Sequence, residues 1–286
     1  MKLPQAEHRR HPVSELHDKV ERTVGKSHLT VYRHKPSGSW LGVLKKGAVT
    51  SQFVGDDKDD LIAEMEAETS PPPPPIKGYA GAIARFLYLY PKGFENPIFL
   101  TGERGGKLEA GRQLQPLLNP NVSDEEAVAL LRSARSVLNR GRQSPLHMTE
   151  SSDLDAVWRS SQVGYHVRAL RAFVTGDRVE GFRLTDRALE GRRCSWPMVT
   201  LFPALLLPDR DAVLRPEAVK TYARSVRSAF AGIYESEPNV AVYEAFLTLL
   251  DETAKEIATL RPRDYIDLAS FVWVVTSYSA NELPRI

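Results

Sequence analysis

Basic side chains interspersed with an aromatic one form the pattern with the clearest chemistry in this chain. They flank the first predicted hairpin and comprise Arg33, Lys35, Trp40, Lys45 and Lys46. Basic clusters on an exposed sheet are typical of surfaces that bind a nucleic-acid backbone. The pattern therefore predicts a site for DNA or RNA. The alternative is the solvated face of a small scaffold or protein-docking domain.

Arginines at helical spacing form a second candidate surface. Arg132 and Arg135 share one face of a predicted helix, and Arg140 and Arg142 follow its end. Because a guanidinium group binds two phosphate oxygens at once, these four residues predict further phosphate contacts. Solvated helix faces also carry arginine, so an ordinary charged surface remains the alternative.

Patterns that would indicate catalysis are weaker. Asp209, Glu217 and Lys220 loosely match the two carboxylates and lysine of magnesium-dependent nucleases. Glu217 and Lys220 begin a predicted helix, however, where acid–base spacing of three residues is typical of surface pairing. The chain has neither a glycine-rich phosphate loop nor a metalloprotease or serine-hydrolase motif. The sequence therefore favours a non-catalytic protein without a metal or other cofactor.

Three further features are considered as functional sites. Glu103, Arg104 and Lys107, beside two glycines, could form a small anion site, but flexible surface loops have the same composition. We interpret His166 as a partly buried structural histidine and Cys194 as a small core residue.

The residues before the proline run predict the first module. Residues 28–68 read as a three-stranded antiparallel meander with one helix packed across it, because turn residues separate three β-rich runs. Asp56 or Asp57 can cap this helix, and Leu61, Ile62 and Met65 share one of its faces. Before the meander, residues 13–20 could form a short helix.

The second module is predicted to be almost wholly helical. We expect an irregular segment over residues 94–114, one long helix over 152–174, and prolines at 197 and 203 that prevent ordinary helix continuation. Ser123, Asn239 and Asp264 precede predicted helices, and Pro216 opens another. The fold class is thus α+β: a small sheet-and-helix domain (1–68), a polyproline linker (69–76) that acts as a spacer or docks on a partner, and an α-helical domain (77–286).

Bulk composition limits the partners. The 286 residues carry 38 basic and 36 acidic side chains and a net charge of +2, so nucleic-acid binding would depend on local patches. One cysteine allows neither an intramolecular disulfide nor a cysteine zinc cluster. The polar N-terminus and the short apolar runs predict a cytoplasmic protein with no membrane partner.

Two resemblances accompany these patterns. The order of elements in residues 28–68 resembles the sheet-plus-helix arm domains of phage integrases, which implies DNA binding. YPKGFENPIFL, ERGGK, TLFPALLLPDRDAVLRPEAVK and RPRDYIDLASFVWVV are similar to segments of an uncharacterised bacterial helical family. That likeness implies a bacterial, phage or mobile-element setting, including defence, and transfers no functional residue.

The sequence as a whole predicts a non-catalytic accessory protein that binds nucleic acid. The alternative is a protein–protein interaction adaptor that recruits its partner through the proline run and the exposed sheet. A metal-dependent nuclease is the third interpretation.

Overall fold

The computed structural model of the protein describes residues 15–69, 73–140 and 144–278. The chain divides into two compact units, with the boundary between Pro73 and Pro74. The first unit is an antiparallel sheet with one helix, and the second is helical. The predicted α+β class is confirmed at this level.

The sheet has four strands, and the prediction of three was wrong. The strands are β1 (Leu16–Val24), β2 (Ser27–His34), β3 (Trp40–Lys46) and β4 (Val49–Gly55), in the order β1-β2-β3-β4. The three predicted strands correspond to β2, β3 and β4.

Strand β1 occupies most of the segment that was expected to form a short helix. Leu16 and Val20 are four residues apart, a spacing that also fits one face of a helix. The register with β2 shifts between His17 and Val20, and Asp18 adopts a φ of 51°. This bulge interrupts the alternation that marks a strand in sequence, and pairing with β2 then decides the conformation.

Helix α1 (Lys58–Thr69) covers one face of the sheet. A carboxylate oxygen of Asp57 accepts hydrogen bonds from the backbone N–H groups of Asp59 and Asp60 at 2.8 and 2.9 Å, which confirms the predicted cap. The predicted apolar face packs on the sheet to form the core of this unit: Leu29, Val31, Leu44, Phe53, Leu61, Ile62 and Met65.

The helical unit contains twelve α-helices in its described residues. They are α2 (Gly78–Leu89), α3 (Pro97–Phe99), α4 (Gly106–Leu114), α5 (Asp124–Arg140), α6 (Met148–Val157), α7 (Val163–Thr175), α8 (Arg178–Ala188), α9 (Trp196–Leu206), α10 (Pro216–Val226), α11 (Phe230–Ile233), α12 (Val240–Glu256) and α13 (Tyr265–Ser277). Short 3-10 turns lie at Gly93–Glu95, Gln115–Leu118 and Ala258–Leu260, and a π-helical turn, Leu100–Gly105, joins α3 to α4.

Helix starts follow the local sequence signals. Ser123 and Glu126 exchange the hydrogen bonds of a capping box, at 3.2 and 2.9 Å. Asn239 caps α12 and Asp264 caps α13 through their side-chain oxygens. Pro216 lies in the first turn of α10, as predicted.

Three expectations about the helices were wrong. The segment over 94–114 is mostly helical, because the π turn connects α3 and α4 without a break in helical geometry. The helix expected over 152–174 is two helices, α6 and α7, separated by a turn. Pro203 lies inside α9, whose every residue is buried. Packing on all sides of α9 outweighs the hydrogen bond that proline removes.

Candidate functional site

Two hairpin turns place lysines at one end of the sheet. Residues 25–26 connect β1 to β2 and residues 47–48 connect β3 to β4, and each turn begins with a glycine at positive φ, 58° at Gly25 and 61° at Gly47. Because the strands are antiparallel and in sequence order, both turns lie at the same end. Lys26, Lys45 and Lys46, all exposed, are named the lysine tip.

Strand pairing keeps the lysine tip together. Ser27, which follows Lys26, is the partner of Lys46 across β2 and β3, and Lys45 is paired with His28. Neighbouring strands lie about 4.8 Å apart, so the three side chains start within about two strand widths of one another. Lys46 lies on the same face of the sheet as the buried Leu44, which is the face that α1 covers. Lys45 lies on the opposite face.

The other predicted sheet residues lie at the far end. Arg33 is paired with Trp40 at the start of β3, whereas Lys46 ends that strand. Six residues of strand separate these ends by about 20 Å. Lys35 lies in the turn between β2 and β3, and Trp40 is half-buried against the core of the sheet. The structure therefore divides the predicted basic group into two.

Strands β2 to β4 contain no carboxylate, whereas β1 carries Asp18 and Glu21. Residues 22–55 contain six lysines and arginines and no aspartate or glutamate, whereas residues 56–68 contain seven acidic side chains. The second stretch forms α1 and the residues before it, on one face of the sheet. The charged side chains of β2 to β4 and of the lysine tip are thus all basic, which favours an anionic ligand at that tip.

Lys26 is the member of the tip that the sequence patterns did not single out. A turn signal was present, since Gly25 and Lys26 directly precede the β-rich run of β2. It was overlooked because β1 was not recognised as a strand. Without β1 there is no first hairpin, and Lys26 has no defined position beside Lys46.

The predicted arginines of the helical unit differ in environment. Arg132 and Arg140 are exposed on α5. Arg135 is half-buried: one of its terminal nitrogens lies 2.9 Å from each carboxylate oxygen of Asp155, and its guanidinium lies 5.0 Å from the centre of the Trp158 ring. Arg135 thus links α5 to α6. Arg142 lies outside the described residues.

The residues considered for a nuclease lie at the surface of the helical unit. Lys220 pairs with Glu217 at 2.6 Å in the first turn of α10, as expected of a surface pair, and Asp209 is exposed in the preceding loop. Among the described residues, no group of three or more His, Cys, Asp or Glu side chains is placed to hold a metal ion.

A buried ionic cluster in the helical unit occupies the segment for which an anion site or a flexible loop was expected. Arg104 donates to Asp264 at 2.6 and 2.7 Å and to Asp267 at 2.9 Å. Arg263 also donates to Asp267, at 2.7 Å from its Nε. These bonds tie the π turn to the start of α13.

Glu103 and Lys107 form the second half of this cluster. Lys107 Nζ donates to the backbone carbonyl and carboxylate of Glu103 and to Ser270 Oγ, and Tyr278 donates its hydroxyl hydrogen to Glu103. Glu103 and Lys107 are both buried. The segment is therefore a packed helical turn, and the flexible-loop interpretation was wrong.

His166 and Cys194 have structural environments. Trp158 Nε1 donates to His166 Nδ1 at 2.7 Å, and burial lowers the pKa of His166 to about 4. Burial, with Asp186 and Glu237 nearby, raises the pKa of Cys194 to about 12. Neither pKa is suited to a general base or a nucleophile at neutral pH.

Fold and site together define an α+β protein with a basic sheet, an acidic helix and a helical unit crossed by buried ion pairs. None of the helices in residues 15–69, 73–140 and 144–278 combines the length and hydropathy needed to cross a bilayer. Comparison with protein-family models, with curated proteins and with solved structures finds no match to this chain. The side chains of this protein are therefore the basis for any statement about its function.

Proposed function

We propose that the protein binds nucleic acid without catalysis and that the lysine tip makes its principal phosphate contacts. The observation that carries this proposal is the position of Lys26, Lys45 and Lys46 on two adjacent hairpins, in a segment of 34 residues that lacks any carboxylate. Arg33 and Lys35, at the far end of the sheet, and Arg132 and Arg140 on α5 are secondary contacts in this proposal.

Elementary electrostatics supports phosphate as the ligand. Exposed lysine is a flexible point charge that follows the polyanion backbone and requires no fixed geometry. Each phosphate that a lysine neutralises releases condensed counterions, which gives affinity that falls steeply with salt. The acidic face of α1 repels the same backbone, so the charge distribution orients the sheet toward the ligand.

The test is fluorescence anisotropy of the full chain with labelled single- and double-stranded DNA and RNA across a salt series. The wild-type protein should bind with a steep salt dependence. The triple variant Lys26→Glu/Lys45→Glu/Lys46→Glu should bind weakly. Its log–log slope on duplex DNA should be shallower by about 0.9 for each phosphate that the variant no longer neutralises.

The matched control reverses charge at the other end of the same sheet. Arg33→Glu/Lys35→Glu should weaken binding less than the triple variant, because it leaves the lysine tip intact. Equal weakening in the two variants would indicate a diffuse charge effect and contradict the assignment to the tip. Absence of binding by the wild-type protein to all four ligands would overturn the proposed function.

A protein partner is the second candidate, favoured by one observation. Tyr32, Leu41 and Val54 form a cross-strand row on the sheet face opposite α1, and each is only partly buried. Such a row could support an adaptor. Co-purification of a partner that is abolished by Leu41→Lys, with nucleic-acid binding unchanged, would favour this alternative.

A further inference from the structure

The hairpin of helices α7 and α8 is rich in arginine. Residues 159–193, which include both helices, carry eight arginines, four carboxylates and no lysine. Arginine in place of lysine is typical of surfaces that bind phosphate, because the planar guanidinium can donate to two oxygens of one phosphate. This local excess of positive charge belongs to the helical unit and is separate in sequence from the lysine tip.

Tyr165 lies at the centre of this arginine-rich surface, in the first turn of α7. The centre of its ring lies 4.7 Å from the guanidinium of Arg168 and 5.7 Å from that of Arg187 on α8. Tyr165 also lies close enough to Arg183 that, after Glu180, it contributes to the raised pKa of that guanidinium. All three arginines are exposed. Arg168, Arg183 and Arg187 are named the arginine patch.

The Tyr165 ring positions two flexible side chains without occupying their hydrogen-bond donors. A cation over an aromatic face is attracted by the ring itself, whereas the five N–H donors of a guanidinium lie in its own plane. Asp124 and Arg168 flank Gly164, at 3.1 and 3.3 Å from the position of a Cβ atom there, but they form no ion pair with each other. Arg168 therefore combines a fixed position with donors that a phosphate can use.

The carboxylates beside the arginine patch leave it with a net positive charge. Glu180 accepts two hydrogen bonds from Arg183, at 2.6 and 2.7 Å, and Glu190 accepts one from Arg187, at 3.1 Å. Both are pairs of neighbouring residues on the exposed surface, where ion pairs are weak and a phosphate can compete with them. Within the described part of the chain, Arg168 has no such carboxylate partner.

We propose that the arginine patch is a second phosphate site for nucleic acid, in addition to the lysine tip. This inference rests on the proposed function, because both sites take the same ligand. Guanidinium groups around a single ring are close enough together for one phosphate backbone to contact them. Contacts to phosphate position a nucleic acid but do not read its bases, so binding at the patch should be independent of sequence.

Chemical footprinting of the full wild-type chain tests both sites in one sample. Phenylglyoxal modifies accessible arginines, N-hydroxysuccinimide acetate modifies accessible lysines, and mass spectrometry reports each residue. Short DNA or RNA of random sequence is added at low salt. At roughly ten times its Kd, about a tenth of the protein stays free, so modification of Arg168 and Arg187 should slow about tenfold. Arg224, exposed on α10, should keep its rate.

Variants assign the contacts to the arginine patch. In fluorescence anisotropy, Arg168→Gln/Arg187→Gln should bind more weakly, with a log–log salt slope on duplex DNA that is shallower by about 0.9 for each phosphate lost. The matched control, Arg224→Gln/Arg227→Gln at the end of α10, removes the same charge and should keep the wild-type slope. Tyr165→Leu removes no charge but should also weaken binding, because the guanidinium groups lose the ring that positions them. Circular dichroism verifies that each variant is folded.

The outcomes distinguish this inference from the proposed function. Protection of the lysine tip without protection of Arg168 and Arg187 would overturn the arginine patch and leave the proposed function in place. Protection of these arginines alone would support the patch and contradict the assignment to the tip. Absence of protection at both sites would overturn both proposals. Wild-type affinity and salt slope in Arg168→Gln/Arg187→Gln would also overturn the patch.

Discussion

Arg104 and Asp264 are joined by two hydrogen bonds of 2.6 and 2.7 Å although 160 positions separate them in the sequence. Asp264 simultaneously caps α13, and Arg104 lies in the π turn between α3 and α4. The pair therefore fixes the start of one helix against an irregular turn of another. Both side chains are at least nine-tenths buried, so neither charge is screened well by water.

Arg104→Ala should be strongly destabilising. It leaves the carboxylates of Asp264 and Asp267 without their shared partner in a buried setting, which typically costs about 3–5 kcal/mol. Urea denaturation followed by circular dichroism measures the free energy of unfolding. Arg104→Lys should be less destabilising, because it keeps the charge and forfeits only the bidentate geometry.

Arg112→Ala is the control for this prediction. Arg112 lies on α4 and pairs with Glu109 on the exposed surface, where ion pairs contribute little. Its midpoint should match that of the wild-type protein. Comparable destabilisation in Arg104→Ala and Arg112→Ala would show that burial does not set the strength of the Arg104 interaction.

His166 should make stability depend on pH. Its folded-state pKa of about 4 lies below the usual 6.5. Between these pH values the unfolded chain therefore binds a proton at His166 that the folded protein does not bind. The stabilising contribution is complete above pH 6.5 and is lost as pH falls from 6.5 toward 4, by roughly 3 kcal/mol in total. Protonation at Nδ1 would also replace the acceptor of the Trp158 hydrogen bond with a donor.

Denaturation midpoints of His166→Gln, measured between pH 4 and 7.5, test this assignment. The variant keeps an acceptor for Trp158 but does not titrate, so its stability should fall less steeply in that window. His28→Gln, at an exposed position in β2, should retain the wild-type slope. A slope that is unchanged in His166→Gln would exclude His166 as its source.

Gly111 lies where the backbone of α4 passes close to that of α9. A Cβ atom there would lie 2.5 Å from the backbone carbonyl oxygen of Leu205, which cannot move as a side chain can. Gly111→Ala should therefore destabilise the protein by about 1–3 kcal/mol, against the usual preference of helices for alanine. Urea denaturation measures the difference. Gly232→Ala in α11 is the control, because a Cβ there meets no described atom within 4 Å.

Cys194 should be a poorly reactive thiol. A pKa of about 12 leaves a very small thiolate fraction at pH 8, although the thiolate that does form is more nucleophilic. Alkylation by iodoacetamide should be on the order of a hundredfold slower in the native protein than in urea. Since the chain has one cysteine, mass spectrometry reports this site alone. Equal rates in the two states would contradict burial of the thiol.

Local signals determined the parts of this protein that depend on neighbours in sequence. The α+β class, strands β2 to β4, the apolar face of α1 and the caps at Ser123, Asn239 and Asp264 follow from patterns of a few residues. Their physical basis is short-ranged, because a capping oxygen and the N–H groups that it binds lie within one helical turn. Such features could be read from the chain alone.

Tertiary structure decided the features whose partners are distant. Pairing with β2 made β1 a strand despite its bulge, and burial on all sides kept α9 helical through Pro203. The register of β2 with β3 separated Arg33 and Trp40 from the lysine tip, which residue spacing could not show.

The buried ionic cluster illustrates the same limit most clearly. Glu103, Arg104 and Lys107 have the composition of a surface loop. Their burial depends on hydrogen-bond partners in α13, such as Asp267 and Ser270. A charge can leave water when an opposite charge and complementary hydrogen bonds meet it. The sequence alone determined which side chains carry charge, and the tertiary structure decided which of them meet, because those contacts join residues more than 150 positions apart.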